Sequence, residues 1–149
     1  MAETLHTEII IRAGRDRVWN ILMDFKSYPE WNPFIVQIEG EPVRGKRLRN
    51  TLRNGDKTYV FKPRILELEA PHRFSWLGSL WFRGLFDGRH QFGIEDLGDG
   101  QVKLVHSETF SGILSGMILR KIREETRNNF IRMNEALKKR AESWETAIA

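Results

Sequence analysis

Hydrophobic and polar positions change period several times along this chain, and each change marks an element. Thr7–Arg12 is isoleucine-rich and closed by Ala13 and Gly14, which predicts a first strand. Val18, Ile21, Leu22 and Phe25 then recur at helical intervals, predicting a helix over Arg17–Phe25 with Asp16 as its N-cap. Ser27 is placed to cap a second, very short helix over Tyr28–Trp31, where Pro29 suits a first helical position. Alternating segments follow at Phe34–Glu39, Lys46–Arg53, Thr58–Leu68, His72–Leu77, Leu85–Glu95 and Gln101–Phe110. Turn signals separate them at Asn54-Gly55-Asp56, Ala70-Pro71, Gly78 to Gly84 and Gly98-Asp99-Gly100. Pro63, inside Thr58–Leu68, the fourth strand of the chain, implies a sheet edge or a bulge there.

After Ser111-Gly112 the pattern turns helical and stays so to about Ser143, roughly 30 residues or about 45 Å at the helical rise. Leu114, Ile118, Ile122, Phe130, Met133, Leu137 and Trp144 form one broad apolar stripe with charged residues opposite. A helix of that length needs a partner surface, and the concave side of the sheet is the one available. Lys121 and Glu125 lie beside the stripe and read as a surface ion pair. The expected architecture is therefore α+β, with a seven-stranded antiparallel sheet curved around the final helix and two short helices between strands 1 and 2. All of it falls in one domain, residues 1–149, as the length alone suggests.

Strand parity locates the candidate chemistry. His90, Phe92 and Ile94 share one face of their strand, and Arg89, Gln91 and Glu95 share the other, so His90 points inward with the apolar set. On the next strand Val102, Leu104, His106, Glu108 and Phe110 share a face. A hairpin around Gly98-Asp99-Gly100 pairs even positions with even ones and sets His90 opposite His106 or Glu108. Two imidazoles and a carboxylate then meet in the interior. Such a cluster can handle a proton, hydrogen-bond a ligand carbonyl or phenol, or simply satisfy itself as a buried polar island.

Composition narrows the field. No cysteine is present, which excludes disulfides, thiolate catalysis and zinc–cysteine sites. The four histidines show no metal-ligand spacing, and no Walker A or G-x-S-x-G run occurs, so neither a metal nor a cofactor is expected. No stretch has the apolar length of a membrane span and the start lacks a signal-peptide pattern, so a cytoplasmic protein without an integral membrane segment is expected. The net charge is +4, and Arg44 to Arg64 is markedly basic. Arg47, Arg49 and Arg53 alternate there with Leu48, Asn50 and Leu52, which points to a solvated sheet face rather than to nucleic acid. Five Trp and nine Phe are many for 149 residues, and an internal cavity would use them.

The run DFKSYPEWNPF from Asp24 to Phe34, the helix VWNILMDF before it, GRHQF around His90 and the ending FIRMNEALKKRAE together resemble the START-like (SRPBCC, helix-grip) superfamily, in its bacterial polyketide cyclase/dehydrase-like branch. The resemblance covers roughly Thr7 to Glu142. It implies a curved sheet gripping a long helix, with an apolar ligand of polyketide, lipid or isoprenoid type held between them. It also implies that Trp31 and Trp76 lie on or near the cavity wall; Phe34 is a candidate beside them, and plain core packing is the alternative for all three. Asn32 matches the family's Trp-Asn pair and reads as fixing its loop through backbone hydrogen bonds.

The ligand-contact candidates are thus Trp31, Phe34, Trp76, His90, Phe92, His106 and Glu108, joined by Met117, Phe130 and Met133 from the last helix. Leu80, Trp81, Phe82, Leu85 and Phe86 are apolar where a strand connection should be polar, and read as a mobile cover over the cavity entrance. A homodimer packed through two such loops is the alternative. The leading expectation is binding of a small hydrophobic molecule. Its rivals are a cyclase or dehydratase using His90 as acid and base, and an accessory domain that engages another protein.

Overall fold

The structure, a computed structural model, describes residues 2–80 and 83–143. Strand β1 (Glu3–Ile11) is followed by helix α1 (Arg15–Met23), a single 3-10 turn (Phe25–Ser27) and helix α2 (Tyr28–Trp31). Seven further strands come next: β2 (Ile35–Glu39), β3 (Arg49–Asn54), β4 (Lys57–Phe61), β5 (Arg64–Glu69), β6 (Arg73–Leu80), β7 (Phe86–Gly98) and β8 (Gln101–Ser111). Helix α3 (Ser115–Glu142) closes the chain. This is the expected α+β helix-grip arrangement, with eight strands in place of seven.

The extra strand comes from Pro63. The segment expected as one strand divides at Lys62-Pro63 into β4 and β5, because proline has no N–H to give to a ladder. The sheet also turns a corner at this break. Strands β1-β8-β7-β6-β5 form one antiparallel sheet and β2-β3-β4 a second, smaller one. The two are stitched together by Gly45 N–H to Ile65 O (2.9 Å), Ile65 N–H to Lys46 O (2.9 Å) and Leu48 N–H to Pro63 O (2.8 Å). Across β3 and its approach, Leu48 and Asn50 are buried while Arg47, Arg49 and Arg53 face solvent, as the alternation predicts.

Other boundaries move for identifiable reasons. β1 begins earlier than Thr7 because it pairs along the whole of β8, from Glu3 opposite Phe110 to Ile11 opposite Val102. α1 begins at Arg15 with Gly14 at the N-cap and no side-chain cap, so Asp16 is not the cap. It lies in the first turn, where its charge still favours the helix dipole. Ser27 does hold the N-cap position of α2, but its hydroxyl donates to Asp24 Oδ2 at 2.7 Å and not back into the helix. Lys121 and Glu125 are exposed and form no ion pair, and lysine N-terminal to glutamate is the weaker order for an i,i+4 pair.

α3 lies across the concave side. In its C-terminal half Phe130, Met133 and Leu137 are wholly buried, as are Phe74, Phe92 and Leu104 of the sheet beneath or nearly so. The last carbonyls of α3 are held by α1, with Arg17 Nε donating to Ala141 O at 2.6 Å. In the N-terminal half Ile118 and Ile122 are only partly buried, and Trp144 lies outside the described residues. No helix among the described residues is long and apolar enough to cross a membrane.

Candidate functional site

The β7–β8 hairpin carries the site. Gly98, Asp99 and Gly100 all have positive φ (82°, 54° and 73°), a tight reversal that two glycines make inexpensive. The register shifts once beside the turn, between Asp96 and Gly98, and from Asp96 opposite Val102 the ladder runs regularly through Ile94 opposite Leu104, Phe92 opposite His106 and His90 opposite Glu108. The parity reading therefore holds, and His90 points to the concave side with 4% of its surface exposed.

The polar groups form one directed chain. Thr7 Oγ1 donates to the His106 carbonyl at 2.6 Å, which uses its only proton. It must then accept from Asn134 Nδ2 at 2.9 Å. That orientation leaves Asn134 Oδ1 facing His106 Nδ1 at 2.7 Å, so Nδ1 carries the hydrogen of His106. His106 Nε2 is left as an acceptor, and His90 Nε2 donates to it at 2.7 Å. On the far side of its ring, His90 Nδ1 stands 3.4 Å from Glu108 Oε1. That is an ion-pair distance without hydrogen-bond geometry, so the carboxyl group stands beside the ring and is not bonded to it.

Burial holds His106 well below the ordinary histidine range, the neighbouring His90 adds to the depression, and the bond to Asn134 opposes both. A neutral His106 is what the chain of donors requires. Aromatic rings clamp the imidazoles in place: Trp76 stacks on His90 with centroids 4.9 Å apart and Phe130 on His106 at 4.3 Å.

Above this pair the two sheets and the N-terminal half of α3 enclose a cavity of about 330 Å³. Phe34, Leu52, Phe61, Trp76, Phe86 and Phe110 supply its apolar walls, and Ile118 and Ile122 its roof. His90 and Glu108 reach it from the large sheet and Asn50 from the small one. Asn50 is 2% exposed, and its Oδ1 has no hydrogen-bond partner. Gly78 and Gly88 sit opposite one another on β6 and β7 and both line the cavity. A Cβ on Gly88 would fall 2.2 Å from Glu108 Oε2, so the carboxyl group occupies the space a side chain would have taken.

Phe34, Trp76, His90 and Glu108 are thus on the cavity wall, as expected. Phe92, His106, Phe130 and Met133 are not; they form the packed layer beside it. Met117 is corrected outright: it is 50% exposed, because Ile118 and Ile122 hold the cavity face and one residue earlier is about 100° around the helix. Trp31 lines a separate surface cleft with Arg17, Asn20, Asp24 and Arg140. Asn32 behaves as expected, its Oδ1 accepting from the N–H groups of Phe34 and Ile35 at 2.9 Å each and so aiming Phe34 at the cavity.

Of the entrance loop, Trp81, Phe82 and the side chain of Leu80 lie outside the described residues. Phe86 lines the cavity and stacks on Phe110 at 5.5 Å. Gly84 and Leu85 are tied to the start of α3 by Ile113 N–H to Gly84 O (3.1 Å) and Leu114 N–H to Leu85 O (2.9 Å). That half of the loop is anchored to the helix start.

Sequence reasoning missed Thr7, Asn134, Asn50 and the glycine pair. Signals for the first two existed. Thr7 alternates with buried Leu5 and Ile11 on β1, and Asn134 follows Phe130 by four residues on the buried face of α3.

The family described as polyketide cyclase/dehydrase and lipid transport matches residues 2–142. Solved structures share the fold. The Zhui aromatase/cyclase from Streptomyces sp. R1128 is 16% identical with a TM-score of 0.76, over 95% of this chain and 94% of that one. A START superfamily protein from Mycobacterium smegmatis is 20% identical with a TM-score of 0.71, over 93% and 97%. The hypothetical protein jhp0584 from Helicobacter pylori is 14% identical with a TM-score of 0.79, over 94% and 88%. Identities this low speak for the fold alone. No curated protein matches the chain. The chain belongs to the polyketide cyclase/dehydrase and lipid transport family.

Proposed function

We propose that this member of the polyketide cyclase/dehydrase and lipid transport family binds a small, largely apolar molecule in the cavity between its two sheets and α3, with Glu108 and His90 holding one polar group of that molecule. The observation that carries this reading is a cavity of about 330 Å³ walled largely by aromatic and aliphatic side chains, with the His90–Glu108 pair on its wall. Binding energy comes from removing apolar surface from water, at about 25 cal/mol per Å², and the polar pair sets orientation. Native mass spectrometry of the full chain purified from its own host tests the reading, with a retained organic ligand as the expected result. Retention of nothing, together with no affinity for any apolar probe small enough for the cavity, overturns it.

A cyclase- or dehydratase-like reaction is the second reading, and the contact between His90 Nδ1 and Glu108 at 3.4 Å favours it. In that case His90 does not act alone, since its Nε2 is committed to His106. His90→Gln separates the two readings. A binding protein changes affinity by no more than the roughly 0.5 to 1.5 kcal/mol of one neutral hydrogen bond. An enzyme keeps its affinity and loses turnover.

A further inference from the structure

The directed hydrogen-bond chain constrains the ligand, provided the binding reading above holds. Every member from Thr7 to His90 Nε2 is committed to a partner inside the protein. What remains is Glu108, whose Oε1 stands 3.4 Å from His90 Nδ1, an ion-pair distance. As a carboxylate it carries lone pairs and no hydrogen on its other oxygen, Oε2. Oε2 lies over Gly88, in the space a Cβ would fill, and no described residue donates to it.

We infer that the polar end of the cavity is an acceptor, so that its ligand is an apolar molecule bearing a hydroxyl or N–H donor, of the phenol or alcohol class, and not a carboxylate such as a fatty acid. Charge points the same way. Among the described residues no lysine or arginine lines the cavity, while Glu108 does. A ligand carboxylate would be desolvated beside an acidic group with no counter-ion. Neutral groups on the other walls, Asn50 and Thr126 among them, can meet further ligand atoms but bring no positive charge. Gly88 becomes a residue that determines specificity, since any side chain there displaces the oxygen that reads the donor.

The test is calorimetric titration of the full chain at pH 7.5 with three probes of one shape: 2-naphthol, naphthalene and 2-naphthoate. The expected order is 2-naphthol about tenfold tighter than naphthalene, the worth of one hydrogen bond to an acidic acceptor, with 2-naphthoate the weakest. In Gly88→Ala and Glu108→Leu the ratio between 2-naphthol and naphthalene should fall toward one. If either variant fails to fold, the order measured on the unaltered protein still decides the matter. Equal binding of 2-naphthol and naphthalene, or tightest binding of 2-naphthoate, overturns the acceptor assignment and leaves the binding reading standing. If none of the three binds, this inference falls, while the binding reading still answers to the retained ligand sought by native mass spectrometry.

Discussion

The two ends of the groove between sheet and α3 are built on the same ladder and differ in almost everything else. Along β6 and β7 the facing pairs run Phe74 with Phe92, Trp76 with His90, and Gly78 with Gly88. At the first pair two rings stack with centroids 6.1 Å apart, under Phe130, Met133 and Leu137, which are wholly buried. At the last pair no side chain rises from the sheet, and Ile118 and Ile122 roof a void. Strand spacing is constant, so the gap between helix and sheet is set by how much side chain stands in it. The middle pair is where filling gives way to space, and it is there that the imidazole and its carboxylate sit.

If one end is packed and the other hollow, truncations should cost unequally. Phe130→Ala should destabilise by about 3 to 5 kcal/mol, because a buried ring leaves a cavity its neighbours cannot close. Ile122→Ala should cost about 1 kcal/mol, since one side of that residue already meets empty space. Urea denaturation gives both values, and equal losses would mean that the roof collapses onto the sheet in solution.

The buried imidazole of the packed layer should make stability depend on acid. His106 is held below its ordinary range in the folded state, so the unfolded chain binds the extra proton more readily. Stability is therefore complete above the ordinary histidine pKa of about 6.5 and falls as pH drops below it, by up to about 1.4 kcal/mol per pH unit. Denaturation midpoints between pH 7.5 and 5 should show that slope in the unaltered protein and a shallower one in His106→Gln. Identical slopes would remove His106 as the cause.

Gly78→Ala is the mildest change and the most specific to the hollow end. The new Cβ would stand 3.7 Å from Pro63 Cβ, an ordinary contact, so stability should shift by less than about 1 kcal/mol, with alanine favoured over glycine in a strand. Naphthalene affinity should nevertheless drop severalfold as the methyl group takes cavity volume. Unchanged affinity would place the ligand elsewhere.

Much of this was legible beforehand where one periodicity governs. The inward direction of His90, its meeting with His106 and Glu108, and the long final helix all follow from period 2 or 3.6 and from a Gly-Asp-Gly turn. The same rules misplaced Met117, because an apolar residue beside a stripe is indistinguishable by composition from one within it. Pro63 was recognised as a disturbance, but whether it bends a strand or divides it depends on what the chain on either side can pair with.

Direction is a local property, carried by the backbone period, and the order of residues by itself determined it: which side chains point inward, where the turns fall, and that the core would be aromatic. Distance is not local. That Thr7, Asn134, His106 and His90 link into one directed chain, with Glu108 beside it, depends on β1, α3, β7 and β8 arriving together from far apart in the sequence. That Gly78 and Gly88 leave a cavity and not a mere thinning of the sheet depends on α3 being held off by the ring-filled layer beside them. Only the tertiary structure decided those, because void and contact are properties of facing surfaces, and no single strand or helix contains both faces.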